Sequence, residues 1–210
     1  RGSLNGWRFR RPLGPTAARF QRARFALARL LDSVRTMDHL IDFQKLHQWH
    51  DSLYSYTFPL KVMGASFGRR MIVVRSRDEK LLLLSPMALG PVLTEELRAL
   101  GEIRTVVFPT RFHDTGAAEA VSSIGTPRVY ASFGFDKTIR GARLIETLGE
   151  RWHEALRWQL LEGMPKVNEV VFCHKESGTL LPSDLLFNFT PEFSGWTRTV
   201  ARISGAYPEA

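Results

Sequence analysis

Apolar residues separated alternately by three and four positions predict a long helix near the beginning of the chain. Such spacing places them on one face of a helix from Thr16 to about Gln44, and Thr16 after Pro15 is a suitable N-cap. The polar positions between them carry arginine and glutamine, so the helix is amphipathic. The apolar face consists of Phe20, Ala23, Leu27, Leu30, Val34, Met37 and Ile41.

This apolar face is too long to remain in water, because each large side chain buried there contributes about 1.5 to 3 kcal/mol. The helix could pack on its own domain, on a partner helix or on a membrane surface. The domain that follows has helices of its own to cover its sheets, so we expect the face to lie mainly against another protein chain or a membrane. The predicted partner-binding residues are Phe20, Leu27, Leu30, Val34, Met37 and Ile41.

The segment LHQWHD, which follows this helix, contains two histidines and an aspartate. His47, His50 and Asp51 are possible zinc ligands. A metal site, however, needs three or four ligands, and these must be oriented by hydrogen bonds from surrounding groups. We therefore interpret these histidines as surface or packing residues. Any helix in this segment should end before Pro59.

From residue 71 onward, short β-branched and apolar runs alternate with helical patterns. This order predicts a layered α/β domain. The last hairpin is predicted to carry Asp184 on its outgoing strand, at the rim of a buried sheet. The predicted strands are 71–74, 80–84, 103–108, 128–132 and a hairpin beginning at 169, and the predicted helices are 94–100, 116–123, 144–161 and 196–203.

The composition is that of a globular protein, with 44% hydrophobic residues in 210. The single cysteine, Cys173, excludes an internal disulfide and fits a reducing compartment. No run approaches the 18 apolar residues of a membrane-spanning helix.

The positive charge is confined to the beginning of the chain. Residues 1–31 hold eight arginines and no acid, and residues 32–210 hold 21 basic and 21 acidic residues. A basic segment on a neutral body indicates an extended arm, a targeting sequence or an anchor. It argues against a nucleic-acid-binding surface that covers the whole domain. An arginine-rich, acid-free amphipathic helix is typical of interfacial helices and of mitochondrial presequences.

Three stretches, RMIVV…LLLLSP, ALG…VVFPTRFHD and NEVVFCHKESGTLLPSDLLFNF, together resemble a known family. They are similar to an uncharacterised branch of the metallo-β-lactamase-like superfamily, domain of unknown function family 4336, over about residues 60 to 190. The resemblance implies an αββα sandwich, complete or truncated, in which two mixed sheets pack face to face.

The resemblance also locates a degenerate metal site. Metal-binding members of the superfamily carry a loop of the form Thr-His-x-His-x-Asp-His, a later His, a bridging Asp and a last His. Asp184 resembles the bridging Asp, and with Thr110 on the motif's Thr, Arg111 and His113 take the first two His positions. His174 lies at the hairpin turn and is not assigned to the later His. We expect no metal, no cofactor and no catalytic residue, and an Arg111–Asp184 pair in place of the ion. The vestigial site is Arg111, His113, Asp114 and Asp184.

These observations predict two parts, a basic arm and amphipathic helix at residues 1–56 and a metallo-β-lactamase-like domain at 57–210. The predicted function is a non-catalytic scaffold or accessory subunit of a larger assembly. Its partners are other protein subunits, with a membrane surface or RNA as further candidates for the arginine-rich segment. The predicted location is mitochondrial, otherwise cytoplasmic. The alternative is an atypical metal-dependent hydrolase of the same superfamily.

Overall fold

The computed structural model describes residues 44–62, 64–135, 139–186 and 195–203. The predicted arm and amphipathic helix lie outside these residues, apart from Gln44, which is in a turn. The partner-binding residues predicted on that helix are therefore also outside the described residues: Phe20, Leu27, Leu30, Val34, Met37 and Ile41.

A seven-stranded sheet with sequential strand order forms the larger layer. Strands β1 to β4 pair antiparallel with one another, and β5, β6 and β7 continue the sheet in parallel with β4. Their bounds are β1 Leu46–His50, β2 Leu53–Val62, β3 Ala65–Arg75, β4 Lys80–Leu84, β5 Glu102–Phe108, β6 Arg128–Ala131 and β7 Arg143–Leu144.

A three-stranded antiparallel sheet, in the order β10, β9, β8, forms the second layer. Its strands are β8 Leu156–Leu160, β9 Val170–His174 and β10 Thr179–Leu181. The described helices are α1 Pro91–Leu100, α2 Ala117–Ile124, α3 Glu150–Ala155 and α4 Gly195–Ile203. Within the described ranges, no helix has the length and apolar character needed to cross a bilayer.

The seven-stranded sheet is buried on both faces because its central strands are apolar at successive positions. Leu81 and Leu83 point to one face, where they pack with Leu93 and Leu97 of α1. Leu82 and Leu84 point to the other face, which packs against the three-stranded sheet and α3. The runs Met71–Val74 and Ile103–Phe108 are split between the two faces in the same way.

Most predicted elements are confirmed, including the β3–β4 hairpin, α1, β5, α2, β6, the β9–β10 hairpin and α4. Helix α1 begins at Pro91 after Gly90 and ends at Gly101, where a Cβ would lie 2.2 Å from the carbonyl oxygen of Glu79. Only glycine fits at this close approach between α1 and the β3–β4 hairpin.

The predicted helix from Leu144 to Leu161 is wrong. The segment divides into β7, a 3-10 turn at Ile145–Thr147, helix α3 and strand β8. Leu156, Trp158 and Leu160 pack on one face of β8 at a period of two, which the wider helical pattern obscured. Gly149 separates the turn from the short helix.

A helix ending before Pro59 is also wrong, because β1 and β2 occupy this region and β2 includes Pro59. Strand β1 pairs with β2 as far as Tyr56, and Gln44 N donates to Thr57 O at 3.0 Å. Backbone groups two residues apart point to the same edge, so the nitrogen of Pro59 faces the edge beyond this pairing. Among the described residues, none pairs with this edge of Pro59, so its missing N–H breaks no ladder hydrogen bond between them. Strand β2 spans the predicted boundary between residues 56 and 57.

Candidate functional site

Polar side chains gather where β4 and β5 end. Ser85 directly follows β4, and Thr110 and His113 follow β5. Because β4 and β5 are parallel neighbours, these residues lie at the same sheet edge, where α/β proteins commonly bind ligands. The bend after β10 brings Asp184 to this edge, three residues beyond the end of the strand that was predicted to carry it. We call Arg69, Ser85, Thr110, His113 and Asp184 the carboxyl-edge cluster.

Both carboxylate oxygens of Asp184 have partners within this cluster. Thr110 Oγ1 donates to Asp184 Oδ2 at 2.7 Å. His113 Nε2 lies 3.5 Å from Asp184 Oδ1, which is close enough for charge attraction but long for a strong hydrogen bond. The side chains of His113 and Asp184 are 15% and 19% exposed. The carboxylate is thus satisfied by protein groups.

Ser85 fixes the orientation of the His113 ring. Its Oγ lies 2.7 Å from His113 Nδ1. With Nε2 facing a carboxylate, a neutral ring carries its proton on Nε2 and accepts the Ser85 hydroxyl at Nδ1. Ser85 has a φ of +56°, a left-handed conformation that costs a residue with a side chain about 1 kcal/mol. This backbone conformation places the Ser85 hydroxyl beside Nδ1 of the His113 ring.

Arg69, on β3, is the buried cation of the cluster. It is 4% exposed, and it donates from Nη1 to Thr115 O at 2.7 Å and from Nη2 to His113 O at 2.8 Å. Burial lowers its pKa to about 10, against the opposing charges of Asp184 and Asp114, so it remains a cation at neutral pH. Arg69 therefore holds the loop after β5 and supplies positive charge to Asp184.

Asp184 is ionised at neutral pH. Burial by itself raises its pKa, but hydrogen bonds from His113 and Thr110, with the charges of His113 and Arg69, outweigh burial and hold the pKa below its usual value. Both oxygens of the Asp184 carboxylate thus face donors, with the Arg69 cation nearby.

Glu169 positions the bend that carries Asp184. It is fully buried, and its Oε1 accepts a hydrogen bond from Ser183 N at 2.7 Å. Burial raises the pKa of Glu169, as does the charge of Asp184, while backbone N–H groups of residues 183 to 185 oppose the rise. Glu169 acts on Asp184 through the backbone.

The structure brings together two of the four predicted site residues, His113 and Asp184. Arg111 lies apart from Asp184, because its Nη1 donates to Pro165 O at 3.4 Å. Asp114 is exposed and accepts a hydrogen bond from Thr115 Oγ1 at 3.5 Å. Arg69 is the arginine whose charge lowers the pKa of Asp184. It takes the place that was expected for Arg111 beside this carboxylate.

Arg69 and Ser85 were missed from the sequence. Arg69 had a usable signal, since two consecutive arginines at the start of an apolar strand point to opposite faces and one must be covered. Ser85 had none, because a serine after a strand is an ordinary loop residue. Its role depends on His113, which is 28 positions away.

The chemistry available at this edge is limited. Among the described residues, no third histidine, cysteine or carboxylate joins His113 and Asp184 in a metal-ligand group. Ser85, His113 and Asp184 have the residue types of a nucleophilic triad, but Ser85 is 2% exposed, which leaves its hydroxyl closed to a substrate. The geometry favours a structural tie.

Comparison with known proteins supports the fold. No family model matches the chain, and no curated protein matches it either. Among solved structures, it is similar to a metallo-β-lactamase from Pontibacter korlensis, with 15% sequence identity, a TM-score of 0.52 and coverage of 79% of this chain and 87% of that chain.

A second similar structure is the DIM-1 metallo-β-lactamase exposed to ceftazidime. Its sequence identity is 14% and its TM-score 0.55, over 80% of this chain and 88% of that chain. Identities this low indicate fold and not activity. Together with the two stacked sheets, these similarities confirm the predicted fold class: the chain has the metallo-β-lactamase-like α/β sandwich fold.

Proposed function

We propose that this protein is a non-catalytic scaffold or accessory subunit of a larger assembly, built on a metallo-β-lactamase-like fold whose metal site is degenerate. The observation that carries the proposal is the pairing of Asp184 with Thr110 and His113. A catalytic zinc ion needs about three protein ligands and an open position. Here the carboxylate that resembles the bridging Asp binds protein donors instead.

Exposed aromatic side chains at the same edge support a docking role. Phe112 follows β5 and is 58% exposed, and Phe133 follows the neighbouring β6 and is 71% exposed. Exposed apolar surface of this kind often marks a protein interaction site. We infer that a protein partner covers these two rings.

The arginine-rich segment at residues 1–31 and the rest of the predicted amphipathic helix would provide a second attachment to protein subunits. A mitochondrial location fits their composition, and a membrane surface or RNA could also receive the arginines. Removing residues 1–44 is expected to abolish assembly. Binding that falls steeply as salt is raised would instead identify RNA as the partner of this segment.

Affinity purification of the tagged full-length chain under gentle conditions tests the docking role. We expect co-purification of a partner in equal amounts, and its loss with Phe112→Ser and Phe133→Ser. The matched control is Val92→Ser, at a position 74% exposed on α1, which should retain the partner. A wild-type chain that purifies alone, as a monomer, would contradict the proposal.

An atypical metal-dependent hydrolase of the same superfamily is the second candidate. It is favoured by the partial exposure of His113 and Asp184 at the edge. The full-length chain should be supplied with Zn²⁺, Mn²⁺ or Fe²⁺ and offered a chromogenic β-lactam, a thioester and a phosphodiester. The scaffold proposal predicts the same rates for wild type and Asp184→Asn. Metal-dependent turnover that disappears in Asp184→Asn would establish the hydrolase.

A further inference from the structure

Two histidines and a glutamate meet at the other end of the β9–β10 hairpin. His50 ends β1, His174 ends β9, and Glu176 lies in the turn between β9 and β10. Their ligand atoms all lie within 4.8 Å of one another. With Ser52, from the turn between β1 and β2, we call these residues the hairpin-tip cluster. They join the two sheets.

The Ser52 hydroxyl occupies the centre of this cluster. Its Oγ lies 3.0 Å from His50 Nδ1, 3.2 Å from His174 Nε2 and 2.9 Å from Glu176 Oε2. A hydroxyl has one proton, so it can donate to only one of these groups at a time. Three potential ligands thus converge on a single small position.

Hydrogen bonding leaves two electron-rich atoms facing each other. Ser52 N donates to His50 Nδ1 at 3.3 Å, which marks that nitrogen as an acceptor. Glu176 Oε2 lies 3.9 Å from the same nitrogen. A lone pair and a carboxylate oxygen at this distance repel unless a proton or a cation lies between them.

The ring of His174 is buried, with its Nε2 directed at Ser52 Oγ. Its Nδ1 lies 2.8 Å from Ser177 Oγ, which lies 2.7 Å from Thr179 Oγ1, and it also accepts from Ser177 N at 3.3 Å. An ion at Nε2 moves the ring proton to Nδ1, so the contact with Ser177 N must give way and Ser177 Oγ becomes the acceptor of that proton. Such an outer hydrogen bond is the usual support of a metal-binding histidine.

We propose that His50, His174 and Glu176 bind one divalent transition-metal ion of the zinc class, which clamps the two sheets together. Two imidazoles and a carboxylate form a ligand set that zinc prefers, with water in the fourth position. Ligands of tetrahedral zinc lie about 3.3 Å apart, so these ligand atoms, which are separated by up to 4.8 Å, must approach one another when the ion binds. Glu176 can move, since its side chain is 67% exposed. The Ser52 side chain rotates away to admit the ion.

This site goes beyond the proposed function and does not depend on it. The cluster lies at the turn of the hairpin, whereas His113 and Asp184 lie beside its open end, where Val170 N donates to Pro109 O. Whichever function the protein has, the ion would tie the end of β1 to the end of β9 and the turn that follows it.

The experiment is a calorimetric titration of the metal-free, full-length chain with ZnCl₂, repeated with Co²⁺ and followed by visible absorption. We expect one equivalent to bind, with four-coordinate Co²⁺ bands. His50→Gln and Glu176→Gln should weaken binding by at least about 100-fold, since changes to outer partners alone cost about 10- to 100-fold. The controls are His153→Gln, at an exposed histidine, and His113→Gln, which should bind as wild type.

Each outcome of these titrations supports or overturns the proposed metal site. Glu176→Gln changes an exposed side chain, so it remains informative if another variant fails to fold. Absence of zinc binding by the wild-type chain overturns the proposal, as does binding that persists unchanged in His50→Gln and Glu176→Gln. Binding that survives in these variants and is lost in His113→Gln would overturn it and contradict the scaffold function as well.

Discussion

The two ends of the β9–β10 hairpin carry similar residue types in opposite hydrogen-bonding states. At the open end, the Thr110 hydroxyl and His113 meet the two oxygens of Asp184, so donors and acceptors are matched. At the turn, His50 and Glu176 are acceptors that share one Ser52 hydroxyl. The difference is that two acceptors at the turn, His50 Nδ1 and Glu176 Oε2, lie 3.9 Å apart, and the proposed metal site rests on this feature.

The matched end should depend most strongly on Asp184. Asp184→Ala would remove a negative charge near the buried Arg69 cation and the nearer acceptor of the Thr110 hydroxyl, at a cost of about 3 kcal/mol. Urea unfolding at neutral pH measures the loss. The control is Asp114→Ala, an exposed aspartate of the same loop region, which should cost less than about 0.5 kcal/mol. An unchanged unfolding midpoint for Asp184→Ala would show that the hydrogen bonds at the open end of the hairpin do not stabilise the fold, and would contradict the comparison.

Glu169 provides the next largest effect, because it holds the bend that presents Asp184. Glu169→Ala would leave the backbone N–H of Ser183 without an acceptor, at about 2 kcal/mol, measured by urea unfolding. Glu169→Gln should cost less than about 1 kcal/mol, since a neutral amide keeps an accepting oxygen and burial already favours the neutral acid. Equal losses in the two variants would argue against this role.

The pH dependence of stability sharpens the comparison further. The pKa of Asp184 is lowered in the folded state, so the unfolded state binds its proton first as pH falls. Its contribution is therefore present above its unfolded pKa of about 3.9 and is lost as pH falls through the lower folded value. The unfolding free energies of wild type and Asp184→Asn should differ at pH 7 and converge on acidification. A constant difference would mean that Asp184 is not held as an ion.

Ser85 should have the smallest effect. Ser85→Ala removes the hydroxyl beside His113 Nδ1 and should cost about 1 kcal/mol. Ser85→Gly removes the same hydroxyl but relieves the φ of +56°, so its cost should be smaller. Thermal unfolding of the two variants measures the difference. A glycine variant less stable than the alanine variant would show that the left-handed backbone carries no strain.

The core of the fold could be predicted because its signals are local. Strands β3 to β5 each contain a continuous apolar run (71–74, 81–84 and 106–108), which is typical of a sheet buried on both faces. The turn between β9 and β10 also has ordinary turn chemistry. Predictions failed at β2, where Tyr54, Tyr56 and Phe58 alternate with other residues, and at the five-residue β8, since a few apolar residues fit a helix as well as a strand.

The sites were less predictable because they depend on contacts between distant positions. His113 and Asp184 were identified through a resemblance to a family motif, and the structure brings them together. His50 appeared within a histidine-rich segment, but its neighbour Ser52 meets His174 across 122 positions. No local pattern carries that pairing, which arises only when the second sheet covers the first.

The burial of the seven-stranded sheet on both faces affects the chain while it is being synthesised. Strands β3 to β5 are made early, yet one of their apolar faces is covered by residues from 145 to 181. A nascent chain that has not reached Val170 therefore presents uncovered leucine and valine side chains, which favours aggregation or chaperone binding. The β9–β10 hairpin thus completes the cover of this face, and we expect chains interrupted before it to be degraded.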